Sequence, residues 1–221
     1  MTITPESVQE LLSSESFSDR VRGLNHLKFI DPKLAFEMVK PLVNDRNARI
    51  RYAAVSQLDP LGLENPDEAL GLLRDRLFND PEIDVKSIAA DVIGGLKLTA
   101  AYADLRQVYE TTDEWLLQMS IIATIGEMGD PQALELLKIA LDSENSLIRM
   151  AAISALGDLQ EPQAIPLLLP LVNDEDWQVR FRLAIALGQF QQAEVQAALE
   201  QLAQDEFEQV ATIAQDLLKM D

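Results

Sequence analysis

Ile148-Arg149-Met150-Ala151-Ala152-Ile153-Ser154-Ala155-Leu156-Gly157 decides how this chain is read, because the stretch returns. Val179-Arg-Phe-Arg-Leu-Ala-Ile-Ala-Leu187-Gly188 follows it, and Ile50-Arg-Tyr-Ala-Ala-Val-Ser-Gln-Leu58 precedes it. Val85-Lys-Ser-Ile-Ala-Ala-Asp-Val-Ile93-Gly94 and Leu117-Gln-Met-Ser-Ile-Ile-Ala-Thr-Ile125-Gly126 keep the pattern with a weaker second position. Asp19-Arg-Val-Arg-Gly-Leu-Asn-His-Leu27 and Val210-Ala-Thr-Ile-Ala-Gln-Asp-Leu-Leu218 are degraded copies at the two ends. The first residues stand at 19, 50, 85, 117, 148, 179 and 210, spaced by 31, 35, 32, 31, 31 and 31. The long interval holds a turn-rich insertion, Leu61-Gly-Leu-Glu-Asn-Pro-Asp-Glu68. A period in this range is the mark of a stacked repeat.

Counting from the first residue of each copy, the other columns describe a helix pair. Positions four, five and eight after it are apolar almost throughout, which makes them the buried stripe of the second helix. Five residues before it stand Ser14, Asp45, Asp80, Thr112, Ser143, Asp174 and Asp205, all suited to capping the N-terminus of that helix. Nine residues after it, Gly94, Gly126, Gly157 and Gly188 are expected to end the helix in a left-handed conformation. Asp130-Pro131 and Glu161-Pro162 then restart the chain. One helix pair cannot bury its stripe alone, whereas stacked pairs bury it for one another. The reading is all-α: a single α-solenoid domain over 1–221, with about seven helix-pair repeats and fourteen helices.

Composition narrows the function. The 221 residues carry 18 basic and 37 acidic side chains, a formal charge of -19. Generic nucleic-acid binding is set aside, since phosphate contacts require a basic footprint. No cysteine is present, which removes disulfides, thiolate metal sites and a thiol nucleophile. A single histidine leaves no histidine-rich metal site, so no metal is expected. No apolar run reaches the roughly 18 residues of a membrane span, and Met1-Thr-Ile-Thr-Pro-Glu6 lacks a basic, apolar leader. The expectation is a cytoplasmic protein without membrane insertion. Charge is uneven: residues 1–110 carry 13 basic and 18 acidic side chains, residues 111–221 carry 5 and 19. The two halves therefore present different fields to a partner.

The repeat pattern, apolar-Arg-x-x-Ala/apolar-x-x-x-Leu-Gly, resembles the HEAT repeat in its short bacterial form. Thr4-Pro-Glu-Ser-Val-Gln-Glu-Leu-Leu12, Arg49-Ile-Arg-Tyr-Ala-Ala-Val-Ser-Gln-Leu58 and Asp174-Glu-Asp-Trp-Gln-Val-Arg180 are similar to the NblB-like phycobilisome degradation proteins of cyanobacteria, a HEAT-like family related to the CpcE-type phycobilin lyases. That resemblance implies contact with phycobiliproteins of the phycobilisome, no permanent cofactor, and at most a transient phycobilin ligand. It also implies a lyase-like alternative, detachment of the bilin chromophore. Protein–protein interaction as a general scaffold, with no pigment chemistry, stays open, as do enzymatic activity, catalytic residues and oligomeric state.

Candidate partner-binding residues come from the periodicity. Positions two and six of each second helix are neighbours on one face. They are expected to look toward the inner side of the stack and to line a groove for a protein helix or a planar tetrapyrrole. Tyr52, Met119, Met150, Phe181 and Ile185 make this face apolar, with Ser87 and Asp91 as its polar interruption. Arg22 and Arg182, at position three, are candidates for holding propionates or an acidic surface. For the column Arg20, Arg51, Lys86, Gln118, Arg149 and Arg180 the likeness to HEAT repeats implies a structural role, bonded to the turn of a neighbouring copy. Trp115 and Trp177 are expected to pack under their turns, and His26 lacks the partner that a general base needs.

Overall fold

The computed structural model describes residues 3–219. Among these residues lie fourteen α-helices: α1 (Pro5–Leu12), α2 (Phe17–His26), α3 (Pro32–Val39), α4 (Ala48–Leu61), α5 (Pro66–Asn79), α6 (Ile83–Gly95), α7 (Tyr102–Thr111), α8 (Trp115–Met128), α9 (Ala133–Leu141), α10 (Ser146–Leu159), α11 (Ile165–Leu168), α12 (Trp177–Leu187), α13 (Ala193–Leu202) and α14 (Glu208–Leu217). Odd-numbered helices open each copy and even-numbered helices close it. In copies two and six the first helix tightens into a 3-10 turn, Lys40–Asn44 and Leu169–Asn173. Pro41 and Pro170 cause this, since proline lacks the N–H that an α-helical bond requires.

The chain divides into two compact units, residues 1–121 and 122–221, with the division inside α8. In the first unit α2, α4 and α6 pack side by side, and α1, α3 and α5 lie against their partners. In the second, α10, α12 and α14 do the same, with α9 and α13 beside them. The periodic stripe is the core of each unit. Leu24, Leu27, Ala54, Val55, Leu58, Ala89, Ala90 and Ile93 are buried in the first, and Ala152, Ile153, Leu156, Leu183, Ala184 and Leu187 in the second. Each fully buried leucine or isoleucine stabilises by about 1.5–3 kcal/mol relative to exposure.

Two columns do a different job from the one their residue types indicate. The glycines nine after the first residue are not left-handed. Gly94, Gly126 and Gly157 lie inside their helices, and Gly188 caps α12 at φ -61°. Among the described residues the left-handed positions are Lys97, Gly129 and Gln160. In the second unit these glycines permit close helix approach. A Cβ on Gly126 would sit 2.5 Å from Ala155 Cβ, one on Gly157 2.9 Å from Ala186 Cβ, and one on Gly188 2.6 Å from Leu217 Cδ2. Each partner is seven after the first residue of the following copy.

The expected capping column is also displaced. The side-chain cap comes two residues later, from Ser16, Asn47, Asn145 and Asp176. The earlier residues bond the N–H of that cap position instead. Asp45 accepts from Asn47 N at 2.8 Å, Asp80 from Glu82 N at 3.0 Å, Asp174 from Asp176 N at 2.9 Å and Asp205 from Phe207 N at 2.9 Å. Ser14, Thr112 and Ser143 do so through their hydroxyls. Short polar side chains favour such local bonds over helix interiors.

Candidate functional site

The turns hold a relay of ion pairs between copies. Each arginine of the column donates to the carbonyl of its own turn: Arg20 to Ser14 O at 2.9 Å, Arg51 to Asp45 O at 3.0 Å, Arg149 to Ser143 O at 2.9 Å and Arg180 to Asp174 O at 2.6 Å. The same guanidinium then meets the aspartate of the next copy. Arg51 grips Asp80 at 2.7 and 2.8 Å, Arg149 grips Asp174 at 3.2 Å twice, and Arg180 grips Asp205 at 2.6 and 2.9 Å. Arg20 lies 3.2 Å from Asp45. Fork-on-fork pairing of this kind fixes orientation as well as energy. Among the described residues Lys86 and Gln118 bond only the local turns, Phe78 O at 3.0 Å and Thr112 O at 2.9 Å. In sequence, the acceptor column following them carries Thr112 and Ser143 rather than aspartate. Donor and acceptor change together along the chain.

This relay is structural. Asp80 is 1% exposed, and burial alone raises its carboxyl. Arg51, the Glu82 N–H and Arg76 outweigh that and hold it below its ordinary value. Asp205 is held down chiefly by Arg180, against a smaller opposing effect of burial. Both arginines are correspondingly raised, chiefly by their aspartate partners.

The second-helix face holds the candidates drawn from the repeat. Tyr52 is 43% exposed and lines a shallow recess of about 270 Å³ between α4 and α6, with Ala48, Arg49, Glu82, Asp84 and Val85. Phe181 is half-buried and lines a recess of about 430 Å³ between α12 and α14, with Glu208, Gln209, Thr212, Ile213 and Asp216. Ile185 stands one turn from Phe181 and is half-buried, and Arg182 is exposed. Met119 on α8 and Met150 on α10 are half-buried, and Ser154 Oγ donates to Met150 O at 3.1 Å. Asp91 is exposed on α6. Ser87 departs from the expected surface role: it is 6% exposed and its hydroxyl lacks a partner. Arg22 is committed to Asp19 at 2.7 Å within α2.

The aromatic expectations separate. Trp115 is 46% exposed. Trp177 stacks on Phe207 with centroids 5.5 Å apart and 13° between planes, and Arg180 Cζ lies 5.5 Å from the Phe207 ring. His26 ends α2 with its ring edge toward Phe29 at 6.4 Å. The residues missed in the sequence are those that wall each recess from the following copy: Glu82 and Asp84 for Tyr52, Glu208, Thr212 and Ile213 for Phe181. Position two of one copy faces the start of the next second helix, and that offset was available in the repeat register.

The fold and its turn relay define a class, the α-solenoid of stacked helix pairs. The family model for HEAT repeats matches residues 70–157 and 135–219, and the chain belongs to that family. Comparison with curated protein sequences gives no match. Among solved structures, the chain is similar to the YIBA protein of E. coli, 15% identical with TM-score 0.64, covering 99% of this chain and 93% of that one. It is similar to the complex of CpcE and CpcF of phycocyanin lyase from Nostoc sp., 22% identical with TM-score 0.60, covering 100% and 95%. A chain from the complex of Kap95p with RanGDP is 18% identical with TM-score 0.68, covering 96% of this chain and 35% of that one.

Proposed function

We propose that this HEAT-repeat protein is a docking module for phycobiliproteins and acts in phycobilisome degradation, in the manner of the NblB-like proteins it resembles in sequence. The observation that carries the reading is the exposed aromatic side chain of Tyr52 on a second helix. Tyr52 is 43% exposed and lines a recess that Arg49 also lines. Aromatic and arginine side chains together are the usual anchors of protein interfaces. The likeness of fold to the CpcE and CpcF complex supports the choice of partner. A phycobilin then belongs to the bound partner and meets this chain only transiently.

The test is recovery of purified phycocyanin on the immobilised protein. Tyr52→Ala and Phe181→Ala are each expected to weaken binding about tenfold, since an interface anchor contributes about 2 kcal/mol or more. Recovery equal to the unsubstituted protein removes the face from the argument. The visible spectrum of the bound phycocyanin separates docking from chromophore detachment. An unchanged spectrum is the docking result, and bleaching with release of free pigment is the lyase-like one.

A further inference from the structure

The second unit carries a recess and a field that differ from those around Tyr52. Residues 122–221 contain 17 acidic and 5 basic side chains. Three of the five cations are spent internally: Arg149 on Asp174, Arg180 on Asp205 and Lys219 on Asp216. The exposed surface of this unit is therefore strongly negative, and such a surface steers cations. Set in it is the recess between α12 and α14, lined by the apolar Phe181 and Ile213 and by the exposed Glu208.

We propose that this recess docks a basic segment of a partner protein, one that seats an apolar side chain against Phe181 and places a lysine or arginine beside Glu208. Charge complementarity selects this occupant. A tetrapyrrole bearing two propionates would bring two negative charges to a recess lined by Glu208, and like charges brought together repel. The inference rests on the reading of the second-helix face as a docking surface, but not on the pigment-protein partner.

The experiment uses the full chain and a fluorescein-labelled amphipathic helical peptide with leucines on one face and lysines on the other, followed by fluorescence anisotropy near physiological salt. Glu208→Lys is expected to weaken binding several-fold and Phe181→Ala about tenfold. Glu194→Lys is the matched control. It makes the same charge change in the first turn of an exposed helix terminus, α13, and Glu194 does not line the recess. Retained affinity in Glu194→Lys supports the site. Equal loss in Glu194→Lys and Glu208→Lys, or unaltered binding by Phe181→Ala, overturns it and leaves only the general field. Glu208 is exposed, so its substitution leaves the fold intact, and a thermal melt checks Phe181→Ala. Phycocyanin recovery on the same variants separates the two readings. Loss of peptide binding with phycocyanin retained upholds the basic-segment site and removes Phe181 from phycocyanin docking.

Discussion

At the scale of single residues, the arginine–aspartate pairs decide how firmly one copy holds the next. The Arg51 side chain is 9% exposed and that of Asp80 fully buried. Removing one partner leaves an uncompensated buried charge, which costs about 3–5 kcal/mol. Asp80→Ala is therefore expected to lower the unfolding free energy by that amount. Among the described residues Lys86 bonds Phe78 O alone, so Lys86→Ala is expected to cost about 1 kcal/mol. Urea denaturation of the two variants checks the contrast, and similar midpoints would show that the paired arginines add nothing beyond a single turn bond. The pairing was legible through the likeness to HEAT repeats, which implied an arginine bonded to a neighbouring turn, and the aspartate column supplied suitable acceptors. Which helix group the aspartate bonds was not legible. Asp45 and Asn47 are both capping residues two apart, and residue type alone does not say which of them takes the cap.

At the scale of elements, glycine shows why a correct register can still carry a wrong role. Gly126 and Gly71 both lie inside helices, and replacement by alanine gains about 1 kcal/mol of helix propensity at either. At Gly71 nothing lies within 4 Å of an added Cβ, so Gly71→Ala is expected to stabilise by that amount. At Gly126 the new carbon would meet Ala155 Cβ at 2.5 Å and Cα at 2.8 Å, where the obstacle is backbone. Forcing α8 and α10 apart costs about 1–3 kcal/mol, which outweighs the propensity gain. Gly126→Ala is therefore expected to lower the melting temperature while Gly71→Ala raises it. Two shifts of the same sign would show that the contact across copies does not set the helix spacing. A glycine near a helix end has two readings, a left-handed cap or a close approach, and its neighbour in the next copy decides between them. The candidate site follows the same rule. Tyr52 and Phe181 were readable from position two, whereas Glu82, Asp84 and Ile213 enter their recesses from an adjacent copy.

At the scale of the whole chain, a charge of -19 and the buried aspartates pull stability in opposite directions as pH falls. Protonating surface carboxylates relieves self-repulsion and favours the folded state. The relay works the other way. Asp80 and Asp205 have folded pKa values below the ordinary carboxylate range, so the unfolded chain takes up protons first. Their contribution is complete above the unfolded value near 3.9 and is lost as pH drops through the lower folded value. Salt decides which effect is seen between pH 7 and that point. Near 0.15 M salt the screening length is about 8 Å, which suppresses repulsion among exposed carboxylates while screening the buried pairs much less. The melting temperature is then expected to stay nearly level from pH 7 to about 5 and to fall steeply below about 4. At about 0.01 M salt it is expected to rise first, as repulsion unscreened over about 30 Å is relieved, and then to fall over the same acid range. A double variant, Asp80→Asn with Asp205→Asn, starts from a lower stability and loses less of it below pH 4. Retention of the full acid slope in that variant would place the acid sensitivity in carboxylates outside the relay.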